Sequence, residues 1–500
     1  MNPLKKLAGQ TVIYGGSTIL ARLLNYLLVR LHTDSLKPDE YGIYTDLYAY
    51  MALFMVVYTY GMETAFFRFA TKGDKKEIYS TTTSSIILSS IVFTGTLVLF
   101  SPKIAGLLGY DGFSEFIVWL ACILFIDAIV AIPFAKLRLE NKPMKFATIK
   151  LVNILVTIFL QLFLLWLCPR IHEGKFLVEW QPFINSFWRP EDGVKYIILS
   201  NLIANALLIL FLWRSLASIK FGIKWHVLKP LFIYGWPILI TGLAGIANER
   251  FDVVFLGDFL PEDFYPDRTN RSVQGIYGSS VKLSVFMLLG IQAFRYAAEP
   301  FFFSSAKDKN APELFARVMH FFVIACTIIF VGVSINVELI ADLLISGKDQ
   351  SYREALYIVP YLLFGKLFFG IYVNLSIWFK LTDKTIYGMY FSLTGLVITV
   401  LGNYLLIPLL GWEASAFTGI ATYSSMVILC YLFGQKFFPI PYKLLPIVLY
   451  LMSGMGVIYL SNLIYVEDEL LKSVFNLVIC LFYIVIIFLI EKKNLKARII

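Results

Sequence analysis

The stretch "VIYGGSTILARLLNYLLVRLHTD" (residues 12–34) is apolar along most of its length yet holds Arg22, Asn25 and Arg30. It is echoed by "FIYGWPILITGLAGIANERFDVV" (residues 232–254). Each copy is long enough to cross a hydrocarbon core of about 30 Å. Each is followed by a segment that begins with the same triplet, Gly42-Ile43-Tyr44 and Gly275-Ile276-Tyr277. The second connection is the longer one, and the acidic loop around Pro261–Arg271 absorbs the difference. Both copies start on the same side of the membrane by the charge pattern described below, so the repeat is parallel. Parallel repeats are related by an axis along the membrane normal, with a substrate path between the halves.

Working outward, the chain has 500 residues, 58% hydrophobic, 16% aromatic and only 15% charged. A soluble domain would carry about 25% charge. The fold class expected is an all-α polytopic membrane protein of about fourteen transmembrane helices. These lie near 7–32, 40–66, 79–100, 114–134, 146–168, 194–214, 229–257, 274–301, 314–336, 353–378, 386–407, 413–434, 443–462 and 473–490. The basic tip of "MNPLKKLAGQTVIYGG" precedes a segment too long and too polar for a cleaved signal, so it is read as the first helix. The expected domains are a six-helix lobe over 1–220, a second over 221–438, and two additional helices with a cytoplasmic tail over 439–500. A central cavity is expected between the lobes.

Basic residues fall on one side of this scheme. Lys5/Lys6, Arg68/Lys72/Lys75/Lys76, Lys136/Arg138/Lys142/Lys145 and Lys220/Lys224/Lys229 share it with Lys307/Lys309, Lys380/Lys384, Lys436/Lys443 and Lys492/Lys493/Lys496/Arg498. The opposite loops are poorer in Lys and Arg, so both termini are expected in the cytoplasm. The net charge of +9 is then topology, not a nucleic-acid surface. The longest loop, "PRIHEGKFLVEWQPFINSFWRPEDG" (169–193), leaves no room for a soluble catalytic domain.

Charge inside a bilayer costs several kcal/mol or more and marks function or pairing. Thr11, Gly15, Thr18, Arg22 and Asn25 share an arc of about 80° on the first helix, a stripe suited to water or a polar partner. Arg30, nearer the outer end, has the length to snorkel. Glu249, Arg250 and Asp252 close the seventh helix. Lys282, Arg295 and Glu299 lie on the eighth, where Lys282 and Arg295 face one cavity only if the helix bends, with Gly290 the expected place. Lys366 is near mid-depth in the tenth. Asp46, Glu63, Asp127, Glu338 and Asp342 are further acids within spans. One reading is internal pairing: Arg22 with Asp46 or Glu63, Arg250 with Asp252, Arg295 with Glu299. The other is a cationic cavity for a large anion such as phosphate, built from Arg22, Asn25, Arg30, Arg250, Lys282, Arg295 and Lys366. Lys282 and Lys366 have no acidic neighbour in sequence. Glu63, Asp127, Glu249, Asp252 and Glu299 are the candidates for ion coupling.

Cys122, Cys168, Cys326, Cys430 and Cys480 lie within or beside apolar runs, with no metal-ligand spacing, so no disulfide, metal or cofactor is expected. His32, His172, His226 and His320 read as interfacial. No P-loop, H-E-x-x-H or G-x-S-x-G occurs.

"NYLLIPLLGWEASAFTGIATYSSM" (403–426) resembles the signature between the eleventh and twelfth helices of bacterial polysaccharide flippases, in the multidrug/oligosaccharidyl-lipid/polysaccharide exporter superfamily. Asn403, Ile407, Pro408 and Gly411 match the pattern, whereas Ala414-Ser415-Ala416 replaces a Gly-Ala-Ala run. "EYGIYTDLYAYMALFMVVYTYGMETAFFRFA" (40–70) and "YGWPILITGLAGIANERFDVVFL" (234–256) also look like this family's second and seventh helices. The resemblance implies two six-helix lobes around a central cavity, working by alternating access. It implies as substrate an undecaprenyl-pyrophosphate-linked oligosaccharide moved across the bacterial inner membrane, for O-antigen, capsule or exopolysaccharide synthesis, with Arg22 holding the pyrophosphate. Polysaccharide polymerase and chain-assembly proteins would be partners, besides the lipid bilayer, and nucleic acid would not. A lipid II flippase of the same superfamily is the nearest alternative. A multidrug cation antiporter fits less well, because its cavity should be acidic. A membrane enzyme acting on lipid-linked sugars is the alternative of another class, and it would need a larger outer loop with catalytic acids or histidines.

Overall fold

The computed structural model describes residues 16, 19–20, 23–71, 73–110, 112–140, 142–305, 310–464 and 468–496. Among them there are helices and turns and no strand. In chain order the long helices are α1 (residues 23–35), α2 (Pro38–Thr59), α3 (Lys75–Leu99), α4 (Ser114–Leu139), α5 (Pro143–Leu162), α6 (Gly193–Ala217) and α7 (Trp225–Phe259). They continue as α8 (Asn270–Leu283), α9 (Val285–Ser305), α10 (Ala311–Ile335), α11 (Val359–Leu375), α12 (Ile386–Leu410), α13 (Trp412–Phe437), α14 (Leu444–Leu463) and α15 (Glu469–Lys496). Eleven helical segments among the described residues are long and apolar enough to cross a membrane, and the α8–α9 pair makes up to twelve. The tyrosine-rich α2 corresponds to the expected second span without being among the eleven. Half of the expected first span (7–32) lies outside the described residues. This is a multi-pass helical membrane protein.

The expected bend of the eighth span falls not at Gly290 but at Ser284, where α8 and α9 meet at 43°. The cause is local hydrogen bonding. The Ser284 N–H and hydroxyl both donate to the Val281 carbonyl (3.0 and 2.7 Å), and Met287 N–H donates to the Ser284 carbonyl (3.2 Å). These three-residue loops tighten and break the helical ladder. Glu338 and Asp342 also fall outside a span, in the short helix Val337–Leu344 that follows α10.

The chain divides into two compact units, Met1–Gly278 and Ser279–Ile500. In the first, α4 packs against α2, α3 and α6 and is the most enclosed of the spans. Its Leu124, Ala128, Ile132 and Ala135 meet Met62, Ala65 and Phe66 in a closed core. The run Ser80-Thr81-Thr82-Thr83-Ser84-Ser85 on α3 has Thr81, Thr82, Thr83 and Ser84 buried. Small hydroxyl residues let helices approach where larger side chains would hold them apart. In the second unit α11 packs on α13 and α10, and α14 and α15 pack on α10. Trp378 is fully enclosed between Tyr387 and Phe437, with its indole N–H donating to the Cys430 carbonyl (3.1 Å). Most of α15 is exposed and apolar, as suits a helix bathed in lipid.

Within the first unit α2 and α8 cross at glycines. A Cβ on Gly42 would meet the Arg271 carbonyl oxygen at 2.0 Å, and a Cβ on Gly275 would meet the Pro38 carbonyl oxygen at 2.0 Å. Each would also meet the other glycine's nitrogen, at 3.3 and 3.0 Å. The obstructing carbonyl is four residues before the partner glycine in both cases. The two copies of the Gly-Ile-Tyr triplet therefore touch each other, reciprocally.

Candidate functional site

The polar interior of the first unit is assembled from three clusters. The first is a wall of aromatic hydroxyls. Tyr41, Tyr44 and Tyr48 fall on one face of α2 by their spacing. Tyr44 lies 5.5 Å from Tyr41 and 4.7 Å from Tyr48, and His32 of α1 meets Tyr44 edge-on at 5.2 Å. Both ends are fixed by hydrogen bonds: His32 Nε2 to Gln161 at 2.8 Å, and the Asn201 amide donating to the Tyr48 hydroxyl. Arg250 of α7 interacts electrostatically with Tyr26 and Tyr44 and lies 3.5 Å from Glu249. The Tyr277 hydroxyl donates to Asp252 at 2.7 Å. Such a surface offers one guanidinium and several amphipathic rings, a combination that grips phosphate and sugar alike.

The second cluster holds Asp46, whose side chain is 4% exposed. Arg271 donates to it at 3.1 Å and to Gln274 Oε1 at 3.0 Å, with the guanidinium 4.3 Å above the Tyr110 ring. The Tyr110 hydroxyl also donates to Asp46. Burial, and then the Asp46 charge, push the Tyr110 phenol upward, so it remains a donor. Arg271, in the first turn of α8, directly follows the acidic stretch "LPEDFYPDRTN" (260–270) and reads in sequence as part of that loop.

The third is a polar chain inside the bundle. Asn153 donates to Asn205 Oδ1 and Asn205 donates to Asp127, both at 3.1 Å, while Lys150 neighbours Asp127 electrostatically. Lys150 Nζ also lies 4.5 Å over the Phe134 ring. Glu63 is bonded to Arg138, whose guanidinium covers Phe67 at 4.8 Å. Asp46 and Glu63, the acids considered for Arg22, thus have cations from elsewhere. Arg138 and Lys150 were missed because a helix-end arginine and a lone lysine read as topology signals.

Arg22 lies outside the described residues, and so does the side chain of Glu299. Asn25 and Arg30 are exposed on α1. Lys282, Arg295 and Lys366 belong to the second unit. Arg295 is exposed and Lys282 half-buried. Lys366 is 8% exposed, its Nζ 5.9 Å from the centre of the Tyr423 ring. Among the described residues no carboxylate forms an ion pair with it. No group of three or more His, Cys, Asp or Glu suited to a metal occurs among them. At the basic end of the first unit a cavity of about 910 Å³ is lined by Lys75, Lys76, Lys136, Lys220 and Lys224. Lys224 is tied to Glu77 at 2.9 Å, and Lys136 lies 4.0 Å over Tyr79.

Residues 27–171 match the model of a family described as polysaccharide biosynthesis proteins. The lipid II flippase MurJ, in an inward closed conformation, superposes with a TM-score of 0.73 over 97% of this chain and 99% of its own, at 13% identity. The chain therefore has the fold of this transporter. An inward-facing multidrug resistance MATE transporter of the MOP superfamily matches with a TM-score of 0.59, covering 88% of this chain and 94% of its own at 13% identity. A MOP superfamily transporter from Pyrococcus furiosus matches at 0.56, covering 92% and 98% at 14% identity. No curated protein matches the chain by sequence. The match over residues 27–171 agrees with the expected likeness to polysaccharide-synthesis proteins, and the fold agrees with the expected all-helical architecture.

Proposed function

We propose that the protein is a flippase that moves an undecaprenyl-pyrophosphate-linked oligosaccharide across the bacterial inner membrane by alternating access, for cell-surface polysaccharide synthesis. The observation that carries this reading is the family match over residues 27–171 on a chain with a transporter's fold. The chemistry agrees. Arg250 beside Tyr26 and Tyr44 suits a pyrophosphate followed by sugars, and the sequence spacing puts Arg22 on one stripe with Asn25. Lys366 adds a buried cation in the second unit, with Lys282 and Arg295 further along it. The five lysines at the basic end offer a landing place for an anionic headgroup on the side assigned to the cytoplasm, where both termini also lie in this reading. Asp127, held by Asn205 and near Lys150, is the strongest of the carboxylates proposed for ion coupling, ahead of Glu63, Glu249, Asp252 and Glu299.

A lipid II flippase is the second reading, favoured by the near-complete overlap with MurJ. Flipping of fluorescent lipid-linked glycan in proteoliposomes tests both, with lipid II and a polyprenyl-pyrophosphate oligosaccharide as parallel substrates. Transport of the second alone, lost in Arg22→Ala and Arg250→Ala proteins that remain folded, is the expected result. Transport of lipid II alone would exchange the two readings, and transport of neither would overturn the function.

A further inference from the structure

A second cavity lies within the second unit, where α10 ends, α11 begins and the α14–α15 hairpin turns. It has a volume of about 780 Å³, within the range of small-molecule sites. Its wall is unusually polar for a membrane protein. Ser334 and Asn336 are 5% and 6% exposed, and Ser334 Oγ, Asn336 Oδ1 and Arg353 Nε have no hydrogen-bond partner among the described residues. The Asn336 amide nitrogen is already committed to the Gly332 carbonyl at 2.8 Å, so the unpaired atom is the acceptor. Buried polar atoms are nearly always satisfied, and a group of orphans at one cavity asks for a ligand or water.

The lining also selects the ligand's charge. Glu338 and Asp342 are matched by Arg353 and Lys472, with Arg353 bonded to Asp342 at 2.7 Å. The cavity is therefore rich in donors and acceptors and neutral in sum, unlike a phosphate site. Tyr357 lines it with 52% of its surface exposed. Its hydroxyl is anchored by the Trp412 indole N–H at 2.8 Å and donates to Glu413, which fixes the ring. A fixed aromatic face beside the unpaired Asn336 amide oxygen and Ser334 hydroxyl matches the two surfaces of a pyranose, one apolar and one hydroxylated.

We propose that this cavity is a saccharide-binding site that takes neutral sugar units of the translocated glycan at the end of the bundle assigned to the outside. It rests on the flippase reading for the source of the sugar and not for the binding itself. Its place supports it. The opposite ends of the same helices carry Arg317, Lys443, Lys492 and Lys493, so this end faces outward by the charge rule. Sugar units that have crossed would be held there while the rest of the glycan follows.

The test uses the full-length protein in nanodiscs and glycan released by mild acid from the lipid-linked oligosaccharides of the native host. Calorimetric Kd is measured for the native protein and for Ser334→Ala, Asn336→Leu and Asn462→Ala, the last at an exposed amide that also lines the cavity. Ser334→Ala removes a hydroxyl that the fold does not use, so a change in binding cannot come from a lost internal bond. Each variant is expected to weaken binding about five- to tenfold, the effect of one hydrogen bond, with an unchanged melting temperature for Ser334→Ala and Asn462→Ala. Native protein that binds no glycan, or variants that bind it as tightly as native, would overturn the site even if flipping is robust. Binding that depends on Ser334 and Asn462 in a protein that flips nothing would uphold the site and remove the flippase reading.

Discussion

Gly42→Ala is the substitution whose outcome the structure fixes most closely. In an open helix the change is favourable by about 0.5–1 kcal/mol. At the α2–α8 crossing the new methyl would stand 2.0 Å from the Arg271 carbonyl oxygen and 3.0 Å from its carbon. Carbon approaches a carbonyl oxygen to about 3.3 Å, so the helices must part by about 1.3 Å. Both obstructing atoms are main chain, and no rotamer change relieves them. Parting the helices also draws Arg271 from the buried Asp46 carboxylate, now 3.1 Å away. Overpacking alone costs about 1–3 kcal/mol, and slackening a buried ion pair adds to that, for a net loss of about 2–4 kcal/mol. Scanning fluorimetry in nanodiscs reads this as a fall of several degrees in apparent melting temperature. The control is Gly245→Ala on α7, where an added Cβ meets nothing within 4 Å, and there the melting point should hold or rise. If Gly42→Ala melts no lower than Gly245→Ala, the crossing is not a backbone contact and the reasoning fails.

Three further outcomes are expected. Arg271→Gln should destabilise by about 3–5 kcal/mol by stranding the Asp46 carboxylate, and Asp46→Asn/Arg271→Gln should recover most of it; additive losses in that cycle would mean the pair is not coupled. Lys366→Met should leave the melting temperature level or raise it, since it replaces a buried charge with no carboxylate partner among the described residues. Flipping should nevertheless fall, and a variant that melts early yet transports normally would make Lys366 a packing residue. Asp127→Asn retains an acceptor for Asn205, so the protein should fold, exchange substrate across the bilayer and lose only gradient-driven accumulation; accumulation at the native level would exclude Asp127 from coupling.

The class of fold was legible because a bilayer imposes length and polarity on every span, and the basic residues sort the loops independently of hydropathy. Resolution fell where an element is decided by its partners. α2 is legible as a span despite its tyrosines, but the partners of its ring hydroxyls, such as Asn201 for Tyr48 and Thr94 for Tyr58, are not. Ser284 outcompeted Gly290 as the bend because the bend depends on which carbonyl the serine reaches, information absent from a single residue's propensity. Candidate charges were found more easily than their partners. Asp46 and Glu63 were both recognised as acids in the membrane, yet Arg271 and Arg138 come from segments that read as a loop and a helix end. Pairing over such sequence separations is a property of packing, and no local pattern announces it.

Residue 42 faces residue 275 and its neighbours as residue 275 faces residue 42 and its own, which is the geometry of an isologous interface between identical subunits. In a dimer of half-length chains such an interface would form only above a threshold concentration, and one mutation would alter both of its faces. Joined in a single chain, the two faces meet at an effective concentration set by the linker. Each glycine can then be changed alone, so the two triplet segments are free to diverge while the crossing holds α2 against α8.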